Sequence, residues 1–167
     1  MNSDTTPELA LESLADMPVV VGDEMHWYKN TCLVCLEDQG HESGVVLKVL
    51  SAESDKPCRI VWSGSVTEQM KRSHADLRQA TEFGACAIAF LVVREILELV
   101  VVEQATRGTH VDYYLAPEGF EEPTNETLIF NNTHRLEVSG ILRESEYNTI
   151  ERRTEAKLDR LEADDLA

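Results

Sequence analysis

The sequence predicts an α+β fold, and three observations carry that reading. Short runs rich in Val, Ile, Leu and Cys alternate with polar turns between residues 30 and 64. The apolar spacing then lengthens to a helical period over residues 65–97. β-branched runs return after Leu97, and the chain closes on an amphipathic stretch. The expected order is meander, helix, hairpin, strand, helix, as in a mixed or antiparallel sheet with helices packed against it.

Residues 1–18 are polar and acidic and carry Pro7 and Pro18, so they read as a mobile tail with a short helical piece at Glu8–Leu14. A single α+β domain is expected over residues 19–163, and residues 164–167 form a short tail. Within it, "NTCLVCLE" (30–37), "GVVLKVLS" (44–51) and "PCRIVWSG" (57–64) give an antiparallel β-meander spanning 19–64. Ser65 with Glu68 has capping-box spacing and opens a helix that runs to Leu97, with a break near Ser73–Asp76. The second half of that helix is apolar nearly all round, which predicts cover on both flanks. "LELVVVEQA" (97–105) and "THVDYYLA" (109–116) make a hairpin, and 117–126 form an acidic loop. "TLIF" extends toward the strand "HRLEVSGI" (134–141). Asn148 and Glu151 open the final helix, with Ile150, Leu158 and Leu161 near one face.

Charge narrows the function classes. The 31 acidic residues outnumber 15 basic ones in the 167-residue chain, for a formal charge of −16. Such a field repels polyanions at long range, so DNA contacts must be local and a protein partner is favoured. The first residues lack a secretory pattern, the four cysteines are read as free thiols, and a cytoplasmic location is expected. The most apolar run, residues 84–93, is far shorter than the roughly 20 residues that cross a bilayer, so no membrane association is expected.

The residues that point to chemistry are carboxylates in strand patterns. Alternation puts Leu136 and Val138 on one face and Arg135, Glu137 and Ser139 on the other. In the preceding strand Asp112 lies opposite Val111, Tyr113 and Leu115, so neighbouring strands aim Asp112 and Glu137 into one concavity. Two adjacent acids repel unless they share a proton or bind a cation, and oxygen ligands with open positions are what Mg²⁺ or Mn²⁺ takes. The competing reading makes each acid an exposed strand residue or the partner of Arg107, Arg135 or Arg143.

The series "ATEFGACAIAFLVVREILELVVVEQATRGTHVDYYLAP" followed by "RLEVSG" resembles the PD-(D/E)xK, restriction-endonuclease-like superfamily, in its Holliday-junction-resolvase-like branch. The resemblance spans about residues 80–160 and makes residues 65–163 a nuclease-like core. It implies metal ligation by Glu82, Asp112 and Glu137, with Mg²⁺ or Mn²⁺ as cofactor. Ser139 stands where the family has its lysine, which leaves Arg135 or Ser139 in that role. The family's core adds a strand after its second helix, and the chain ends at Ala167, so that strand is expected to be missing. Two functions follow from the resemblance. One is a degenerate, non-catalytic interaction subunit of a bacterial defence or mobile-element system, with an unknown protein partner. The other is a metal-dependent DNA endonuclease acting through Asp112, Glu137, Arg135 and Ser139.

Cys32, Cys35, His41 and Cys58 raise a zinc reading, but strand positions three apart point to opposite faces and no second close pair exists. Buried thiols fit better. Tyr113, Tyr114, Trp27 and Trp62 are too scattered to form a base-stacking platform and read as core and rim residues.

Overall fold

Phe90 stands at the centre of the molecule, fully buried and met edge-on by Tyr28 and Tyr113 at ring-centre distances of 5.3 and 5.0 Å. The computed structural model describes residues 6–17, 22–51, 55–106, 111–119 and 134–165. In chain order these form β1 (Glu8–Ala10), a 3-10 helix (Leu11–Asp16), α1 (Gly22–Asp38), β2 (Val45–Val49), β3 (Lys56–Val61), α2 (Glu68–Ser73) and α3 (Leu77–Leu97). After them come β4 (Leu99–Gln104), β5 (Tyr113–Pro117), β6 (His134–Leu136) and α4 (Ile150–Asp165). The described strands make two three-stranded sheets, ordered β1-β3-β2 and β4-β5-β6, so the α+β class holds.

The expected meander is corrected. Residues 30–37 lie in the helix α1 and not in a strand. Met25, Tyr28, Cys32 and Leu36 are buried at intervals of three and four residues, a helical stripe that begins upstream of the apolar run read as a strand. What remains of the meander is the antiparallel pair β2–β3, with Val45 opposite Ile60 and Val49 opposite Lys56. Its third strand comes from the segment expected to be a tail: β1 runs parallel to β3, pairing Leu9 with Ile60. Leu9, Leu11 and Leu14 are almost completely buried, so apolar burial fixes residues that their acidic neighbours made look solvated.

The helix expected over 65–97 divides at His74–Asp76, as its composition indicated. Thr67, rather than Ser65, caps α2 by accepting the Met70 N–H at 3.1 Å, and Asp76 caps α3 through the Arg78 and Gln79 N–H groups. At the other end Glu98 takes a left-handed conformation (φ 56°), closing α3 and turning the chain directly into β4. β4 and β5 form the expected hairpin, with a one-residue irregularity between Val101 and Glu103. β6 is shorter than the strand expected over 134–141 and pairs antiparallel with β5. Residues 107–110 of the hairpin's connection, "TLIF" and most of the acidic loop lie outside the described residues.

Helix α3 packs along α1 through Gly84. A Cβ at that position would stand 3.1 Å from the Cα of Cys32 and 3.3 Å from its nitrogen, so the absence of a side chain sets the spacing of the two helices. A polar clamp fastens the first segment to the rest. The Glu12 carboxylate accepts from Lys29 Nζ at 2.8 Å and from the backbone and hydroxyl of Ser63 at 3.1 and 3.0 Å. Burial raises the pKa of Glu12, but these hydrogen bonds outweigh it and hold the acid at about 2. No helix among the described residues is long and apolar enough to cross a membrane.

Two measurements test this packing. Gly84→Val should destabilise the fold by about 2 kcal/mol or more through overpacking against the α1 backbone, read as a lowered urea midpoint. Because the folded pKa of Glu12 is depressed from its ordinary 4.5 to about 2, its contribution is complete above pH 4.5 and is lost as pH falls through 2. The stability difference between wild type and Glu12→Gln should therefore be widest near neutrality and close across that window.

Candidate functional site

The site forms where β5 and β6 end together. Tyr113 pairs with Leu136, the last pair of the ladder, and Asp112 and Glu137 stand just outside it, one residue before β5 and one after β6. Asp112 is held by its backbone on both sides: its N–H donates to Leu136 O at 2.9 Å and its C=O accepts from Ala105 N at 2.9 Å. Its carboxylate accepts from the Val138 N–H at 2.7 Å. The two acids were expected within longer strands. They sit at the strand ends, where the ladder stops and backbone groups become available to side chains.

The cation beside these acids is Lys157. Its ammonium, carried by α4, donates to Glu137 Oε1 and to Val138 O, the latter at 3.3 Å. Both side chains are mostly withdrawn from water, at 26% exposure for Lys157 and 19% for Glu137, which strengthens their attraction relative to a surface pair. The Val138 residue thus joins the two halves of the site, its N–H on Asp112 and its C=O on Lys157.

Arg135 and Ser139, expected to stand in for a lysine, are placed differently. Arg135 is exposed on β6 opposite Tyr114, and the Ser139 hydroxyl accepts from the Arg153 guanidinium at 2.7 Å. Lys157 reaches Glu137 from α4, whose Arg153 also bonds Ser139 just past β6. Sequence reasoning missed it because it sought the lysine two residues after Glu137. The available signal was the stripe of Ile150, Arg153, Thr154, Lys157 and Leu158, which puts Lys157 on the inward face of the final helix.

Glu82 is exposed in the second turn of α3 and does not join a three-acid cluster. Among the described residues no group of three or more His, Cys, Asp or Glu side chains is arranged to hold a metal ion. Glu82 and Asp112 nonetheless both surround Cys86. Burial pushes that thiol up to about 11, opposed by a hydrogen bond with Tyr113 and reinforced by the negative charges of Asp112 and Glu82. The Lys157 ammonium itself occupies Glu137 Oε1 and Val138 O.

The helical state of residues 30–37 also alters the zinc reading. Cys32 and Cys35 share one side of α1 and line, with His41, a cavity of about 160 Å³, yet they belong to no metal-holding group. All four cysteines are free, and burial pushes Cys32 up to about 12. They behave as core thiols, as expected.

The loop that carries the site rests on α3 at Gly140. A Cβ there would lie 2.5 Å from Thr81 O, so only glycine allows this approach, one residue from Glu82. Gly140→Ala should lower stability by about 1–3 kcal/mol and shift the Val138 amide resonance, because the loop must move away from α3.

No protein-family model, curated protein or solved structure matches this chain.

Proposed function

We propose that the chain is a divalent-metal-dependent phosphodiesterase acting on DNA. The carrying observation is the Lys157 ammonium against Glu137, just past the end of β6, with Asp112 hydrogen-bonded to the next residue, Val138. Two carboxylates and a lysine are the chemical complement that phosphodiester hydrolysis uses, and Lys157 beside Glu137 supports this reading although Ser139 stands where the motif would have its lysine.

Asp112, Glu137 and Val138 O would hold Mg²⁺ or Mn²⁺, which when bound polarises a phosphoryl oxygen and acidifies water. The protein's own groups do the rest. Asp112 is fixed through its backbone and through Val138 N–H, so its oxygens are preorganised at little cost in mobility. Lys157, partly withdrawn from water, places a positive charge where charge builds on the phosphoryl group. Arg153, anchored on Ser139 and Asn148, offers a second cation to the neighbouring phosphate. With a net charge of −16, the protein would engage DNA only through such local contacts.

A second reading keeps the architecture and discards the chemistry: a non-catalytic interaction subunit, in which Lys157 serves as a permanent internal counter-ion. The absence of a three-acid group among the described residues favours it.

Thermal unfolding with added Mn²⁺ or Mg²⁺ and nicking of supercoiled plasmid separate the two. Under the phosphodiesterase reading millimolar metal raises Tm, and Asp112→Ala abolishes the rise. Lys157→Met should lower nicking by about 10²-fold or more while retaining the metal-dependent Tm shift, since it removes charge but no ligand. Wild-type protein with neither shift nor nicking is the signature of the interaction subunit.

A further inference from the structure

Between α3 and α4 runs an open groove of about 670 Å³. One wall is α3, contributing Ala85, Ile88, Ala89 and Val92, a stripe at i, i+3, i+4 and i+7. The facing wall is α4, contributing Ile150, Arg153, Thr154, Lys157 and Leu158 at the same periodicity. Two helices thus turn matching stripes toward each other without closing. Ile150 and Leu158, although on the inward stripe of α4, remain 55% and 54% exposed. Leu47 and Val49 of β2 and Leu136 of β6 add further aliphatic surface.

The rim is cationic in an otherwise acidic protein. Lys48, Arg135, Arg153 and Lys157 line the groove, and Glu137 is the only carboxylate among its described lining residues. Lys48 is paired with Asp55 at 2.7 Å and Lys157 with Glu137. Arg153 differs: its guanidinium is held by the neutral oxygens of Ser139, Gly140 and Asn148, so it is positioned without being neutralised by them. Among the described lining residues there are aliphatic side chains and no aromatic ring, which disfavours a single strand of nucleic acid stacking its bases there.

We propose that this groove docks an acidic amphipathic helix of a partner protein, its apolar stripe between α3 and α4 and its carboxylates on the cationic rim. Helical walls at i, i+3, i+4, i+7 spacing accept a third helix by the same ridge-and-groove packing that joins helices within proteins. Charge complementarity selects an acidic one, since a basic helix would meet Arg153 and its neighbours unfavourably. The inference is independent of catalysis, because it rests on the groove and needs no metal.

The test uses the intact chain and a fluorescein-labelled peptide of about 18 residues, with Leu at i, i+3, i+4 and i+7 and Glu on the flanking positions. Saturable binding by anisotropy is expected without metal, with a gain of helix in circular dichroism and weakening as salt rises. Leu158→Glu should weaken binding about tenfold or more, and Arg153→Glu should reduce it and its salt dependence. Since Leu158 is half exposed and can be changed without opening the core, an unchanged Tm accompanies the loss in Leu158→Glu. The proposal is overturned if a Lys-flanked peptide of the same apolar pattern binds equally well, if Leu158→Glu has no effect, or if the peptide binds in an extended form. It is equally overturned if sedimentation shows a dimer dispersed by Leu158→Glu. Plasmid nicking is measured separately, so failure here leaves the phosphodiesterase reading untouched.

Discussion

Where α3 passes Cys32, and again where it passes Gly140, main chain lies almost directly on main chain. Neither contact has room for a Cβ, at Gly84 in the first case and at Gly140 in the second. The first contact sets the distance of α1 and therefore the pocket into which Phe90, Tyr28 and Tyr113 pack. The second presses the segment after β6 onto the first turns of α3, close to Glu82. The candidate site inherits its geometry from both, because Tyr113 belongs at once to the aromatic core and to the strand whose preceding residue is Asp112.

Electrostatics then acts at short range within a long-range field of the opposite kind. The whole chain is strongly acidic, yet the site's carboxylates are answered individually, Asp112 by a peptide N–H and Glu137 by an ammonium. Withdrawal from water makes these local partners matter more than the distant excess of negative charge. The same logic explains the α3–α4 groove, whose cationic rim is an exception created by the inward stripe of a helix whose other positions are rich in acids.

Much of the local structure was legible. The break between α2 and α3, the hairpin of β4 and β5 and the final helix follow from periodicity and from Gly, Asp and β-branched residues at expected places. The strand reading of residues 30–37 failed for a specific reason. An apolar run of that length is compatible with either state, and only Met25 and Tyr28 upstream reveal the helical stripe. The short helical piece expected at Glu8–Leu14 is present in part as the 3-10 helix, but the tail reading failed because acidic neighbours masked Leu9, Leu11 and Leu14, which pack with a parallel partner, β3, far along the chain.

For the site, residue types and the order of Asp112 and Glu137 were determined by the sequence alone, as were the α+β class, the strong negative charge and the amphipathic last helix. Their place just outside the β5–β6 ladder follows from that pairing, and the cation beside Glu137 comes from α4. Lys157 lies 20 residues beyond Glu137, a separation over which spacing rules carry no information. Periodicity decides which side of a helix faces inward, whereas only tertiary packing decides what that side meets, because the energy that chooses the partner comes from burial and charge contacts between segments distant in the chain.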